Sequence, residues 1–112
     1  MKIKPGRHTA AFVLLFLTLK PSYGFELLKE FETNLPNNKI DSAAIYRALK
    51  TLETNGSVES RWDTSEAGAA KKYYSITENG YKELEMFKKD IELRYENLGF
   101  FLKNYKNIND KK

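Results

Sequence analysis

The stretch AIYRALKTLETNGSVESRW, from Ala44 to Trp62, reads as one helix, a stop and a β-strand. Ile45, Ala48, Leu49 and Leu52 recur at i, i+3, i+4 and i+7, so they share one helical face and are expected to be buried. On the opposite face Ala43, Tyr46, Arg47 and Lys50 repeat that spacing, offering an aromatic hydroxyl, two cations and a small residue at the start. Asp41 or Ser42 is placed to cap the helix by accepting a backbone N–H. Asn55-Gly56 supplies the stop, because glycine takes the left-handed conformation after a helix without steric cost. Val58, Ser60 and Trp62 then alternate with Glu59 and Arg61, the period of a strand. A short helix with a buried back and a basic front, running into a strand, suggests a recognition helix followed by a wing.

Working outward, the preceding segment supplies two more helices. His8 to Lys20 is apolar almost all round, so it is expected at the centre of the core. Pro21 breaks it, and Ser22 is placed to cap a second helix that runs to about Asn34. There Gly24, Leu27 or Leu28, Phe31 and Leu35 mark the buried side, and Glu26, Lys29, Glu30 and Glu32 the wet side. Leu35-Pro36-Asn37-Asn38 is turn chemistry. Two amphipathic helices joined by a short polar turn form the core of a helix-turn-helix unit. Downstream, Asp63 to Ala70 is small and polar with Gly68 near its middle, and Lys71 to Ile76 reads as a second strand with Tyr74 and Ile76 on one side and Tyr73 and Ser75 on the other. The two strands make a wing hairpin longer than a tight turn.

Thr77 caps the last helix, expected over about Glu78 to Tyr105, which at about 1.5 Å per residue extends roughly 40 Å. Leu84, Ile91, Leu98 and Tyr105 recur every seven residues, beside Phe87, Arg94 and Phe101 and beside Met86, Leu93 and Phe100. A chain of 112 residues cannot cover such a stripe by itself, and heptad spacing argues for a helix partner, most simply a second copy in a homodimer. The competing arrangement packs the stripe only on the first helix of its own chain. The expected fold class is mostly α with a two-stranded β wing, a winged helix-turn-helix plus a long C-terminal dimerisation helix. Its expected parts are a DNA-binding domain over residues 8–77, a dimerisation helix over 78–106 and a flexible polar tail over 107–112.

Composition bounds the function classes. The 112 residues are one domain's worth. Nineteen basic against fifteen acidic residues leave a net charge of +4, a mild bias that permits nucleic-acid binding without arguing for it alone. With no cysteine there is no disulfide framework and no thiolate nucleophile, which fits a reducing compartment. The single histidine, His8, has no partner histidine for a metal site, the acidic residues are scattered on wet helix faces, and no glycine-rich phosphate loop occurs. The chain is therefore read as no enzyme, with no cofactor and no metal. Lys2, Lys4 and Arg7 before the apolar run Ala10 to Leu19 resemble a short signal peptide, but the run is too short to span a bilayer and Lys20-Pro21 follows it without a small-residue cleavage pattern. A buried first helix in a cytoplasmic protein, with no membrane partner, is the preferred reading.

Three motifs in order resemble the PadR family of bacterial winged-helix transcriptional regulators over about residues 10 to 80. Pro21-Ser22-Tyr23-Gly24-Phe25-Glu26-Leu27 is similar to the family's motif at the start of the second helix. Ile45-Tyr46-Arg47-Ala48-Leu49, with Leu52-Glu53 and Gly56-x-Val58, is similar to its recognition helix and exit. Gly68 to Gly80, through Lys72-Tyr73-Tyr74 and Ile76-Thr77-x-x-Gly80, is similar to its wing. This chain departs from the pattern at Ala43-Ala44, where the family usually has Gly then Thr or Ser, at Phe25, and at Ala69-Ala70 in the wing tip. The single C-terminal helix resembles the family's short subgroup. The resemblance implies a repressor, in some members responsive to a small-molecule effector.

On this reading double-stranded DNA is the partner, and Ser42, Ala43, Tyr46, Arg47 and Lys50 face it. Arg47 can bond a guanine bidentately, Tyr46 can reach phosphate or a thymine methyl, and Lys50 sits a turn further along for phosphate. Arg61, Lys71 and Lys72 on the wing are candidates for phosphate beside the groove, with cancellation by Glu59, Asp63 and Glu66 as the competing reading. Trp62 is expected to pack at the wing base. Leu84, Phe87, Ile91, Leu98, Phe101 and Tyr105 are the dimerisation candidates, and Tyr95 and Phe100 are candidates for an effector pocket between subunits. The rival from another class is a winged-helix adaptor that binds protein and survives Arg47→Ala.

Overall fold

The computed structural model describes residues 8–35, 37, 40–64 and 68–110. In chain order they form α1 (Thr9–Leu17), α2 (Gly24–Asn34), α3 (Ser42–Thr54), β1 (Val58–Asp63), β2 (Lys71–Ile76) and α4 (Glu78–Asp110). This is the expected architecture, mostly helical with a two-stranded antiparallel wing and a long C-terminal helix. No described helix is long and apolar enough to cross a membrane.

The apolar run before Pro21 becomes the hub of the core. Val13, Leu14, Phe16 and Leu17 of α1 pack with Leu27 and Phe31 of α2, Ile45, Leu49 and Leu52 of α3, and Val58 and Tyr74 of the wing. Phe12 and Phe16 meet the Phe31 ring edge-on at 6.1 and 5.3 Å, a favoured aromatic geometry. Two expectations for α1 need correction. It ends at Leu17, short of Lys20, and it is not covered all round, since Leu15 is 48% exposed; Leu19, past its end, is 75% exposed. The early end has local causes. Pro21 disfavours helical conformation in the residue before it, and the Thr18 hydroxyl bonds back to the Leu15 carbonyl at 2.6 Å.

Ser22 does not cap α2. Tyr23 holds the N-cap position, and Glu26 Oε1 accepts its backbone N–H at 3.2 Å. Ser22 is instead buried and exchanges backbone hydrogen bonds with Tyr74, at 3.1 and 2.9 Å, so it pairs with the free edge of β2. Within α2, Gly24, Leu27 and Phe31 are buried, which decides between Leu27 and Leu28. The turn read at Leu35-Pro36-Asn37-Asn38 falls partly outside the described residues. Asp41, not Ser42, caps α3, accepting the Ala44 N–H at 2.9 Å. Gly56 follows the helix with φ 77°, the conformation expected of it.

The wing runs in register from Val58 opposite Ile76 to Asp63 opposite Lys71. Its inner end is sealed at Val58 and Tyr74, whereas Trp62 is 64% exposed. Packing of Trp62 at the wing base is therefore corrected: it sits toward the outer end of β1, beyond the pairs that seal against the helices.

α4 spans 33 residues, about 50 Å at about 1.5 Å per residue. It continues through Asn107–Asp110, where a flexible tail was expected, and Lys111 and Lys112 lie outside the described residues. Its start is locked to the α3–β1 junction. Thr77 Oγ1 accepts the Gly80 N–H at 3.0 Å and donates to the Gly56 carbonyl at 2.6 Å, and Asn79 donates to the Asn55 carbonyl at 3.1 Å. The Ser57 hydroxyl bonds Glu83. A Cβ on Gly80 would lie 2.1 Å from the Ser57 carbonyl oxygen, so only glycine permits this approach.

Candidate nucleic-acid interface

Burial of Ile45, Leu49 and Leu52 turns the other side of α3 outward. Ser42, Ala43, Tyr46, Arg47 and Lys50 are all exposed there. The tyrosine is supported from an unexpected side. A Cβ on Gly24 would fall 2.5 Å from Tyr46 Cζ and 2.6 Å from its hydroxyl, so the bare start of α2 is a seat for the ring. The sequence marks Gly24 as merely buried. The signal that it seats Tyr46 lies in a contact between two motifs far apart in the chain.

The three wing cations have different surroundings. Arg61 is exposed. Lys71 lies opposite Asp63 in the ladder, and its ammonium sits 4.7 Å from the centre of the Tyr23 ring. Tyr23 in turn meets Tyr73 edge-on at 5.3 Å, so the outer face of β2 rests on the start of α2. Burial first, and then Glu26, push the Tyr73 phenol above its ordinary 10.0. Lys72 is held on the inner face. Its Nζ lies 3.5 Å from Glu53 Oε1, and 5.4 and 6.0 Å from the ring centres of Tyr74 and Trp62. Tyr74 first, with Glu53 adding to it, raises the Lys72 ammonium above 10.5. The Ser60 hydroxyl bonds the same Glu53 carboxylate. Lys72 thus pairs with Glu53 of α3, an acid outside the wing; Glu66 lies outside the described residues.

The stripe on α4 divides in two. Leu84 and Phe87 pack against the core, and Ile91 is half-buried. These residues and Ala11, Phe12 and Leu15 line an apolar groove of about 310 Å³ between α1 and α4. Further along, Leu98, Phe101 and Tyr105 are exposed, with the last two rings stacked at 6.1 Å. Between the halves Arg94 donates to Asp90 at 2.8 Å, and His8 lies 3.7 Å from the same carboxylate. The Arg94 hydrogen bond holds the Asp90 carboxyl below its ordinary 3.8. Tyr95 and Phe100 are both exposed, and neither lines the α1–α4 groove.

The sequence profile of the transcriptional regulator PadR-like family matches residues 13–86. Among solved structures, a transcriptional regulator from Clostridium thermocellum is 26% identical, with a TM-score of 0.77 over 84% of this chain and 92% of that one. A PadR family transcription regulator from Clostridium difficile shares the fold at 24% identity, with a TM-score of 0.72 over 83% of this chain and 96% of that one. Bacillus subtilis PadR, solved in complex with operator DNA, is 25% identical with a TM-score of 0.66, over 74% of this chain and 48% of that longer one. No curated protein sequence matches the chain.

Proposed function

Since the chain belongs to the PadR-like family of transcriptional regulators, which is not a family of enzymes, we propose that it is a homodimeric repressor that recognises a near-palindromic DNA site through α3. The observation that carries this reading is the α3 front, where Tyr46, Arg47 and Lys50 are exposed on a helix whose back is sealed in the core. The Bacillus subtilis relative bound to operator DNA supports the same partner here. Each subunit sets α3 in a major groove, Arg47 reading a base edge, Tyr46 a thymine methyl or phosphate, and Ser42, Ala43 and Lys50 lying along the backbone. Arg61 and Lys71 add phosphate contacts beside the groove. Residues 8–77 are the DNA-binding part and α4 over 78–106 the dimerisation part, with Leu84, Phe87, Ile91, Leu98, Phe101 and Tyr105 along its seam. Support for the dimer is the bare second half of that seam. Two copies hold their α3 helices about one helical turn apart, roughly 34 Å. An effector, contacted by Tyr95 and Phe100, acts by binding one pose of the two wings more tightly than the other. The protein works in the cytoplasm.

Fluorescence anisotropy against the DNA upstream of its own gene, beside a scrambled duplex and across a salt series, tests the reading. Salt-sensitive binding that prefers the native sequence, and loses the preference in Tyr46→Ala and Arg47→Ala, is the expected result. Binding that ignores DNA and survives Arg47→Ala would favour a protein-binding adaptor.

A further inference from the structure

Among the three wing cations, Lys72 is the one tied to the recognition helix. Its ammonium is 3.5 Å from the Glu53 carboxylate, and both side chains are about one-third exposed. Glu53 lies in the last turn of α3, so the contact joins the recognition helix to the wing. An exposed ion pair alone is a weak restraint. Here the carboxylate also takes the Ser60 hydroxyl from the neighbouring strand, and the ammonium lies within cation–π range of Tyr74 and Trp62. Three side chains, Ser60 and Trp62 of β1 and Tyr74 of β2, thus converge on one Glu–Lys pair that joins α3 to β2.

We propose that Glu53 is a charge latch: it holds the wing against the end of α3 and neutralises Lys72, so that this lysine does not add to the phosphate-binding charge of the wing. The inference rests on the DNA-binding reading and deepens it. Affinity for any duplex grows with the number of phosphates neutralised, regardless of sequence. A cation withheld in this way lowers affinity for every duplex by the same sequence-independent amount, so a larger share of what remains comes from the base contacts of α3. Glu53 is therefore a positioning residue that acts through Lys72 and touches no DNA itself.

The test is the salt dependence of binding to a fixed duplex of mixed sequence, measured by anisotropy for the full chain, for Glu53→Gln and for Glu53→Gln with Lys72→Gln. Glutamine keeps an acceptor for Ser60 and removes the charge. Glu53→Gln is expected to steepen the slope by about 0.9 log units per log unit of salt, one phosphate's worth. The double variant is expected to return to the wild-type slope. A slope for Glu53→Gln equal to or flatter than wild type overturns the latch. So does a gain that persists in the double variant, because it would come from lost repulsion between Glu53 and DNA. Failure of the wild type to bind any duplex overturns the DNA reading and the latch together. Binding of the wild type with no gain in Glu53→Gln overturns the latch alone. Should Glu53→Gln not fold, Glu53→Asp retracts the carboxylate by one methylene and is expected to steepen the slope in the same sense, by less.

Discussion

α3 and the second half of α4 carry the same kind of apolar stripe and meet opposite fates. In α3, Ile45, Leu49 and Leu52 are at most 1% exposed. In α4, Leu98, Phe101 and Tyr105 are 64%, 63% and 55% exposed. The difference lies in what each stripe has to face. α3 lies across α1 and α2 and is closed by its own chain. α4 lies along α1 only near its start, where Leu84 and Phe87 are covered, and then runs on past the body of a molecule 64 Å long and 28 Å wide. Periodicity reports that a face wants burial; chain length and topology decide whether the cover comes from within.

Breaking the closed stripe is expected to have the largest effect. Leu49→Ala leaves a cavity in the core and should cost about 2–5 kcal/mol of folding stability, read by urea unfolding. Gly80→Ala belongs with it, because the new Cβ meets the Ser57 backbone oxygen and not a side chain that can swing aside. Next comes the open stripe. Leu98→Glu with Phe101→Glu should leave the body folded by circular dichroism and weaken association by about 1.5–3 kcal/mol per side chain, seen as dimer giving way to monomer in sedimentation. A monomeric wild type would show that the stripe needs no second copy. Asp41→Ala removes the α3 cap and should cost about 1 kcal/mol in the same urea experiment. Gly24→Ala should change stability least, since the Tyr46 ring that it meets is half-exposed and can turn away. Its expected signature is a loss of preference between DNA duplexes like that of Tyr46→Ala.

Local rules carried the reading of α3 and the wing. The cap at residue 41 or 42, the stop at Asn55-Gly56 and the alternation from Val58 were all visible because each depends on residues within a few positions. The wing pairing followed from two short alternating runs. What escaped depends on distant partners. Ser22 looked like a cap until its backbone met the edge of β2 at Tyr74. Lys72 could be weighed only against the wing acids Glu59, Asp63 and Glu66, because Glu53 belongs to another element. Gly24 and Gly80 carried no local sign of the ring and the carbonyl that each admits. Trp62, the only tryptophan, was read as a packing residue by type, and only the reach of the wing past the helices leaves it outside. At the C-terminus, a polar segment with little to bury continued the helix through Asp110, because backbone hydrogen bonds propagate from an existing helix at little cost.

The central claim joins the two regions: α3 reads the DNA, and the far half of α4 sets the distance between two copies of α3. Hydroxyl-radical footprinting of the wild type on its upstream DNA tests it most directly, with Leu98→Glu/Phe101→Glu beside it. Two symmetric protected patches about one helical turn apart, reduced to weak or absent protection when the α4 seam is broken, is the predicted result. A single patch, or a double patch unchanged by the α4 substitutions, would contradict the account.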